Sequence, residues 1–190
     1  MRWFTPVSFI TLVVLAAIVA LGQTPEKAAA SLQAKIDTIK KADADKKRTG
    51  MQSLEVFESE LEAYVQTSMK KDIPVKLESI RVHLTPGTIA ADARLTIPPG
   101  STGNMLVDAL VSGTHNMFIK GKLVGSRRVG KFDLLDVTVD GIPVPNILID
   151  TLLKRFVKPR YPNVDLKEPF DLPWGIDAID VAQGKAKITY

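Results

Sequence analysis

The side chains able to do chemistry are few here, and their spacing builds no familiar reaction centre. There are two histidines, His83 and His115, and no cysteine. The histidines lack an HxxH-type partner, so a zinc site would have to draw a third ligand from scattered carboxylates. Without cysteine there is no thiolate nucleophile, no disulfide framework and no lipobox residue for a lipid anchor. Ser112-Gly113-Thr114-His115 places a serine near a histidine in the chain, but triads assemble in space and no G-x-S-x-G elbow occurs. Gly121, Gly125 and Gly130 spell neither GxGxxG nor a Walker A loop. Asp177 and Asp180, like Asp133 and Asp136, alternate with apolar residues as solvated strand positions do, not as an acid–base pair. The expectation is a non-enzymatic protein with no metal and no cofactor.

Charge narrows the partners. The 190 residues carry a formal +4, which falls to about +3 if residues 1–22 are removed, since Arg2 is their only charge. That mild excess suits work near an anionic membrane surface. It lacks the dense basic clustering of a nucleic-acid binder, so no nucleic acid is expected. A hydrophobic fraction of 45% supplies an ordinary core for one domain.

The elements that must position any site read as follows. Residues 1–22 open with Arg2 and run apolar from Phe9 to Leu21, ending in Ala20-Leu21-Gly22. This is either a cleaved export signal or an uncleaved anchor of about bilayer length. Both place the remainder outside the cytoplasm, in the periplasm or on the outer face of the inner membrane. Residues 23–50 read as a helical stalk or linker. Thr24 and Pro25 begin it, and the seam Ala29, Leu32, Ile36, Ile39 gives it one apolar side. It is either a short coiled coil or a helix resting on the domain. Residues 51–190 form the domain. A strand at Leu54–Phe57 precedes a helix with a capping box, Ser59-x-x-Glu62, whose inner face is Leu61, Tyr64, Val65, Ser68 and Met69.

From Val75 the period becomes two. A change of parity places a bulge near Glu78–Ser79, and Thr85-Pro86-Gly87-Thr88 turns into a second strand with Ile89, Ala91, Ala93, Leu95 and Ile97 on one face. Strands follow at His115–Val124, with Met117, Ile119 and Leu123 inward, and at Lys131–Val139, with Leu135, Val137 and Val139 on one face. Residues 104–111 are ambiguous between strand and helix. Gly141–Val157 enters through Pro143 and Pro145 and turns helical from an Asn146 cap. It carries Leu148, Ile149, Leu152, Leu153 and Phe156 on one side and Asp150, Thr151, Lys154, Arg155 and Lys158 on the other. Lys158–Pro173 reads as irregular, and a last hairpin turns at Gln183-Gly184. The fold class is α+β, a curved antiparallel meander wrapped around long amphipathic helices.

Surplus apolar surface is what remains. Either helices and sheet close into a plain core, or they leave an elongated groove for an acyl chain, which needs few polar groups. The segments SLEVFESELEAYVQTSM, VKLESIRVHLTPGTIAADARLTI, KFDLLDVTVDGIPVPNILIDTLL and LPWGIDAIDVAQGKAKITY, in that order behind an export segment, resemble the bacterial envelope branch of the tubular lipid-binding (TULIP) proteins, distant relatives of bactericidal/permeability-increasing protein. The resemblance spans about Leu54–Tyr190 and rests on element order. It implies a half-tube fold and binding or transfer of a lipid or other hydrophobic ligand without catalysis. It also implies that so short a chain forms one unit and dimerises to lengthen the conduit. The expected groove is lined by Leu61, Val65, Met69, Ile89, Leu95, Met117, Ile119, Leu148, Leu152 and Phe156. Lys154, Arg155, Lys158 and Arg160 are the expected contacts to lipid phosphate or an anionic membrane surface. The alternative is an envelope scaffold or protein-interaction module with a closed core.

Overall fold

A computed structural model describes residues 24–45, 50–69, 76–100, 105, 112–152 and 168–190. The expected export segment, the ambiguous run 106–111 and the second half of the Gly141–Val157 helix lie outside these. Among the described residues no helix is long and apolar enough to cross a membrane.

The chain begins with α1 (Pro25–Ala44). Proline at its first position loses nothing, since that N–H has no intrahelical acceptor, and the Thr24 side chain makes no cap bond. Next come β1 (Ser53–Phe57) and α2 (Glu58–Tyr64), which continues as a π-helical turn over Val65–Met69. The cap differs from the expected one. Phe57 is the N-cap residue, and its backbone N–H donates to Glu60 Oε2 at 2.9 Å, so Glu60 and not Glu62 closes the helix start. The strands β2 (Lys76–Thr85), β3 (Thr88–Ile97), β4 (Gly113–Ser126) and β5 (Val129–Val139) are followed by β6 (Ile142–Pro143), α3 (Asn146–Leu152), β7 (Phe170–Asp171), β8 (Ala178–Ala182) and β9 (Lys185–Thr189).

Among the described residues, all nine strands join one open, curved antiparallel sheet. Four of them, β2 to β5, form the expected meander. The rest is not a meander. β8 meets β4 at Gly125↔Ile179 and carries β9 and then β1, while β6 and β7 add to the far side of β5. The tip of the β2–β3 hairpin is clamped into this junction, with Gly87 donating to Val181 O at 2.9 Å and Gly184 donating to Leu84 O at 3.0 Å. The parity change in β2 is a register shift between Leu77 and Ser79, where it was expected. A second shift, at Lys120/Gly121, leaves Leu135 unpaired on β5 and 57% exposed, so it does not share a face with Val137 and Val139.

Among the described residues, α2 packs along β2 and against the core around Leu84. α2 is only seven residues long before its π turn, and α3 is described over seven. α1 is longer; it meets α2 through Ala28, Ala29 and Ala63, where alanines let the two backbones approach closely, and it reaches the core through Ile39. A meander wrapped around long amphipathic helices is not seen among the described residues; α1 and α2 instead pack beside β2 and the β1–β9–β8 strands. The filled core lies there. Val82, Leu84, Val181 and Ala186 pack with Leu61, Ile80, Ile89 and Leu123. Ile39, Leu172, Ile176 and Tyr190 pack with Leu54, Phe170, Ile179 and Ile188. Glycines make room for it. A Cβ at Gly121 would lie 2.0 Å from the Phe132 ring, and one at Gly130 would lie 2.7 Å from the Phe170 ring, so two aromatic rings rest directly on backbone.

Candidate functional site

The meander has two chemically distinct faces, set by the period of two. On one, the rungs are Ala91–Ile119–Val137 and Ala93–Met117–Val139, aligned across β3, β4 and β5. These six side chains are only half-buried among the described residues. They continue on β2 from Val82, 6% exposed, and the half-buried Ile80, with Leu84, 0% exposed, next along that strand. The face therefore grades from a closed core into an apolar strip.

The expected groove residues divide across this gradient. Leu61 and Ile89, half-buried, pack against the core around Leu84, and Leu95 is buried at 7% exposure. Met117 and Ile119 stand on the strip, and Val65 is half-buried in the π turn. Met69, Leu148 and Leu152 belong to described helices, but their side chains lie outside the described ones. Phe156, Lys154, Arg155, Lys158 and Arg160 lie outside the described residues altogether. Ala91, Ala93, Val137 and Val139 share the strip; the sequence placed them on apolar strand faces but not among the expected groove residues.

The opposite face is polar. Arg81, Asp92, Phe118 and Thr138 form one rung, and Ser79, Arg94 and Asn116 the next. An open depression of about 520 Å³ lies over these residues. Its two carboxylate neighbours, Glu78 and Asp92, each have a polar partner. Arg94 Nε donates to Glu78 Oε2 at 3.0 Å, Thr96 donates to Glu78 Oε1 at 3.0 Å, and His83 Nε2 lies 3.4 Å from Asp92 Oδ2. The Thr96 and Arg94 bonds hold the Glu78 carboxyl below the usual range. Ala93 and Met117 of the apolar strip also border this depression.

His115 is tied into structure. Its Nδ1 lies 2.7 Å from Asp140 Oδ2, and its Nε2 lies 3.3 Å from the Ser112 carbonyl oxygen. Asp140 has φ +50° and is held there from both sides. Its Oδ1 accepts the Asn116 N–H at 2.8 Å, and its own N–H donates to Asn116 O at 2.7 Å. The Asn116 N–H, then His115, lower the Asp140 carboxyl pKa. The pair pins the β5–β6 turn to β4 and presents no nucleophile. Among the described residues no three His, Asp or Glu side chains cluster as metal ligands would.

One buried charge was missed. Glu60, 3% exposed, joins α1 to α2. Lys35 Nζ donates to both its oxygens at 2.6 Å, and Ser31 Oγ donates at 2.5 Å. Lys35 Nζ also reaches Glu55 O at 2.6 Å and stands 5.2 Å from the Phe57 ring centre. Burial raises the Glu60 pKa, but the Lys35, Ser31 and Phe57 bonds outweigh it, and the net shift is downward. With every acceptor occupied, this is a structural clamp, not an acid–base group.

No known protein-family model matches the sequence, and no curated protein matches it.

Proposed function

We propose that this protein binds, and hands on, a lipid or other elongated apolar ligand along the strip on β3, β4 and β5, without catalysis. One observation supports this reading above the others: two in-register rungs of aliphatic side chains are half-buried beside a core that is otherwise closed around Leu84. Contiguous apolar surface of this kind is retained where something covers it. An acyl chain laid there gains about 0.8 kcal/mol per buried methylene. Ten methylenes give a gross ~8 kcal/mol, of the size needed to offset association costs of about 4–15 kcal/mol. In this reading the curved sheet is one half-tube of the TULIP type. It works outside the cytoplasm, delivered or anchored by residues 1–22, and a homodimer joins two strips end to end.

The packing of Leu61 and Ile89 against the Leu84 core, with Leu95 buried, favours a second reading, an envelope scaffold or interaction module with a filled core. One experiment separates them. Solvent extracts of the purified protein are analysed by mass spectrometry, and the stripped protein is titrated with a fluorescent fatty acid. Co-purified lipid with saturable uptake supports the carrier. A lipid-free protein that takes up no probe removes it and leaves the scaffold.

A further inference from the structure

The hairpin loop between β4 and β5 consists of Arg127 and Arg128, with φ of +52° and +65°. Two successive positive φ angles are what a two-residue hairpin requires, and Asn-Gly or Gly-Gly is the sequence that adopts them without strain. Two arginines there carry steric strain for no gain in turn geometry, and both are exposed. Backbone strain of this kind persists only where the surroundings enforce it. Arg128 is gripped on both sides, its N–H donating to Asp177 O at 2.9 Å and its carbonyl accepting the Leu172 N–H at 2.8 Å. The loop between those two partners contains Trp174, which also has positive φ (+54°), is 41% exposed, and has Lys40 Nζ 4.8 Å from its ring centre. Met51, 70% exposed, borders the same depression as Arg128 and Gly175.

We propose that this corner docks on an anionic lipid bilayer, with Arg127 and Arg128 meeting lipid phosphates and Trp174 and Met51 entering the interfacial layer. The combination carries the assignment. Guanidinium groups take phosphate oxygens in pairs, and tryptophan prefers the headgroup boundary, where its ring is half apolar and its N–H is wet. Neither guanidinium has an ion-pair partner among the described residues. Arg127, Arg128 and Lys40 stand against Asp171 and Asp177, with Glu168 three residues further back in the same segment. The corner is separate from the apolar strip, so either can fail without the other.

The test uses the full chain with Trp3→Phe, which leaves Trp174 as its single tryptophan. Vesicles of phosphatidylcholine, with or without phosphatidylglycerol, carry brominated acyl chains that quench a tryptophan at the interface. Trp174 is expected to be quenched on the anionic vesicles only. The double variant Arg127→Asn/Arg128→Gly relaxes the turn while removing both charges. It is expected to melt no lower than the parent and to partition ~30-fold more weakly, from about a fivefold loss per basic residue. Equal quenching on neutral vesicles overturns the proposal, because the arginines then contribute nothing. So does an absence of quenching on both, the result expected if the corner meets an acidic protein instead. Full quenching retained in the double variant overturns it as well. Fatty-acid uptake by the same variant is expected to be unchanged.

Discussion

Glu62 Oε1 accepts the backbone N–H of Val82 at 2.8 Å, so a helix side chain occupies the place of a further strand. One helical turn earlier, Glu58 Oε1 accepts the Leu84 N–H at 2.6 Å, and one turn later Gln66 Nε2 donates to Glu78 O at 3.3 Å. The match is geometric. Four helical residues rise about 6 Å, and two strand residues advance about 6.6 Å, so an i, i+4 pair of acceptors meets an i, i+2 pair of donors. The open edge of β2 is thereby closed to pairing with another chain.

Glu62→Ala is expected to cost about 1.5–3 kcal/mol, the range for a hydrogen bond to a charged group. Glu62→Gln, which keeps an acceptor oxygen, is expected to cost less. Urea unfolding measures both, and hydrogen exchange at the Val82 amide is expected to accelerate in the alanine variant alone. The Glu58→Ala/Glu62→Ala pair is expected to self-associate through the uncovered edge, which light scattering reads directly. A double variant that stays monomeric with an unchanged Val82 exchange rate removes the edge-capping role.

Glu60 makes stability depend on pH. Its folded pKa lies below its ordinary 4.5, so its contribution is full above that value and is lost as pH falls through the folded pKa. Glu78 and Asp140 are shifted in the same direction, so the wild-type protein is expected to weaken below about pH 4.5. Glu60→Gln is expected to lower stability at neutral pH by about 3 kcal/mol, because it leaves the Lys35 ammonium without its counter-charge. It is also expected to flatten the acid limb between pH 5 and pH 3 (approximate bounds from the carboxylate range). Parallel stability–pH curves for variant and parent would place the acid sensitivity elsewhere.

How much of this was legible in the sequence depends on the kind of signal. Strict alternation, such as Ile89, Ala91, Ala93 and Leu95, marks a strand because one face is apolar, and the parity break at Leu77/Ser79 marks a bulge for the same reason. Glu58 and Glu62 carry no such mark. Carboxylates at i, i+4 look like a solvated helix face until a strand edge is found beside them. The capping residue was misplaced by two because Ser59-x-x-Glu62 fits the capping-box pattern, whereas the chain caps α2 with the Phe57 amide and Glu60. The site was legible only as a parity. Met117 and Ile119 reveal a face, but whether that face is covered depends on distant packing. Leu95 has the same local pattern and is buried.

Gly121 illustrates a signal that sequence shows only negatively. It belongs to no nucleotide-binding loop, and its role is to let the Phe132 ring lie on β4. Gly121→Ala forces that ring to move, an overpacking change expected to cost about 1–3 kcal/mol. Combining it with Phe132→Leu is expected to recover part of the loss. Thermal melts of the single and double variants give the coupling, and strictly additive losses would show that the two positions do not meet.

The strip and the core make opposite demands on the same kind of side chain, which gives the sharpest test of the proposed ligand face. Leu84 is fully buried, and Leu84→Ala is expected to cost about 2–5 kcal/mol through lost contacts and a cavity. Ile119 is half-buried, so Ile119→Ser is expected to cost about 1 kcal/mol or less, because water already reaches it. For ligand uptake the ranking reverses. A serine in the middle of the Ala91–Ile119–Val137 rung places a hydroxyl against an acyl chain without a partner, and fatty-acid affinity is expected to fall about tenfold. Leu84→Ala, assayed well below its melting temperature, is expected to retain parental uptake. If Ile119→Ser instead destabilises as much as Leu84→Ala and leaves uptake unchanged, the strip is covered by the protein's own chain and the ligand lies elsewhere.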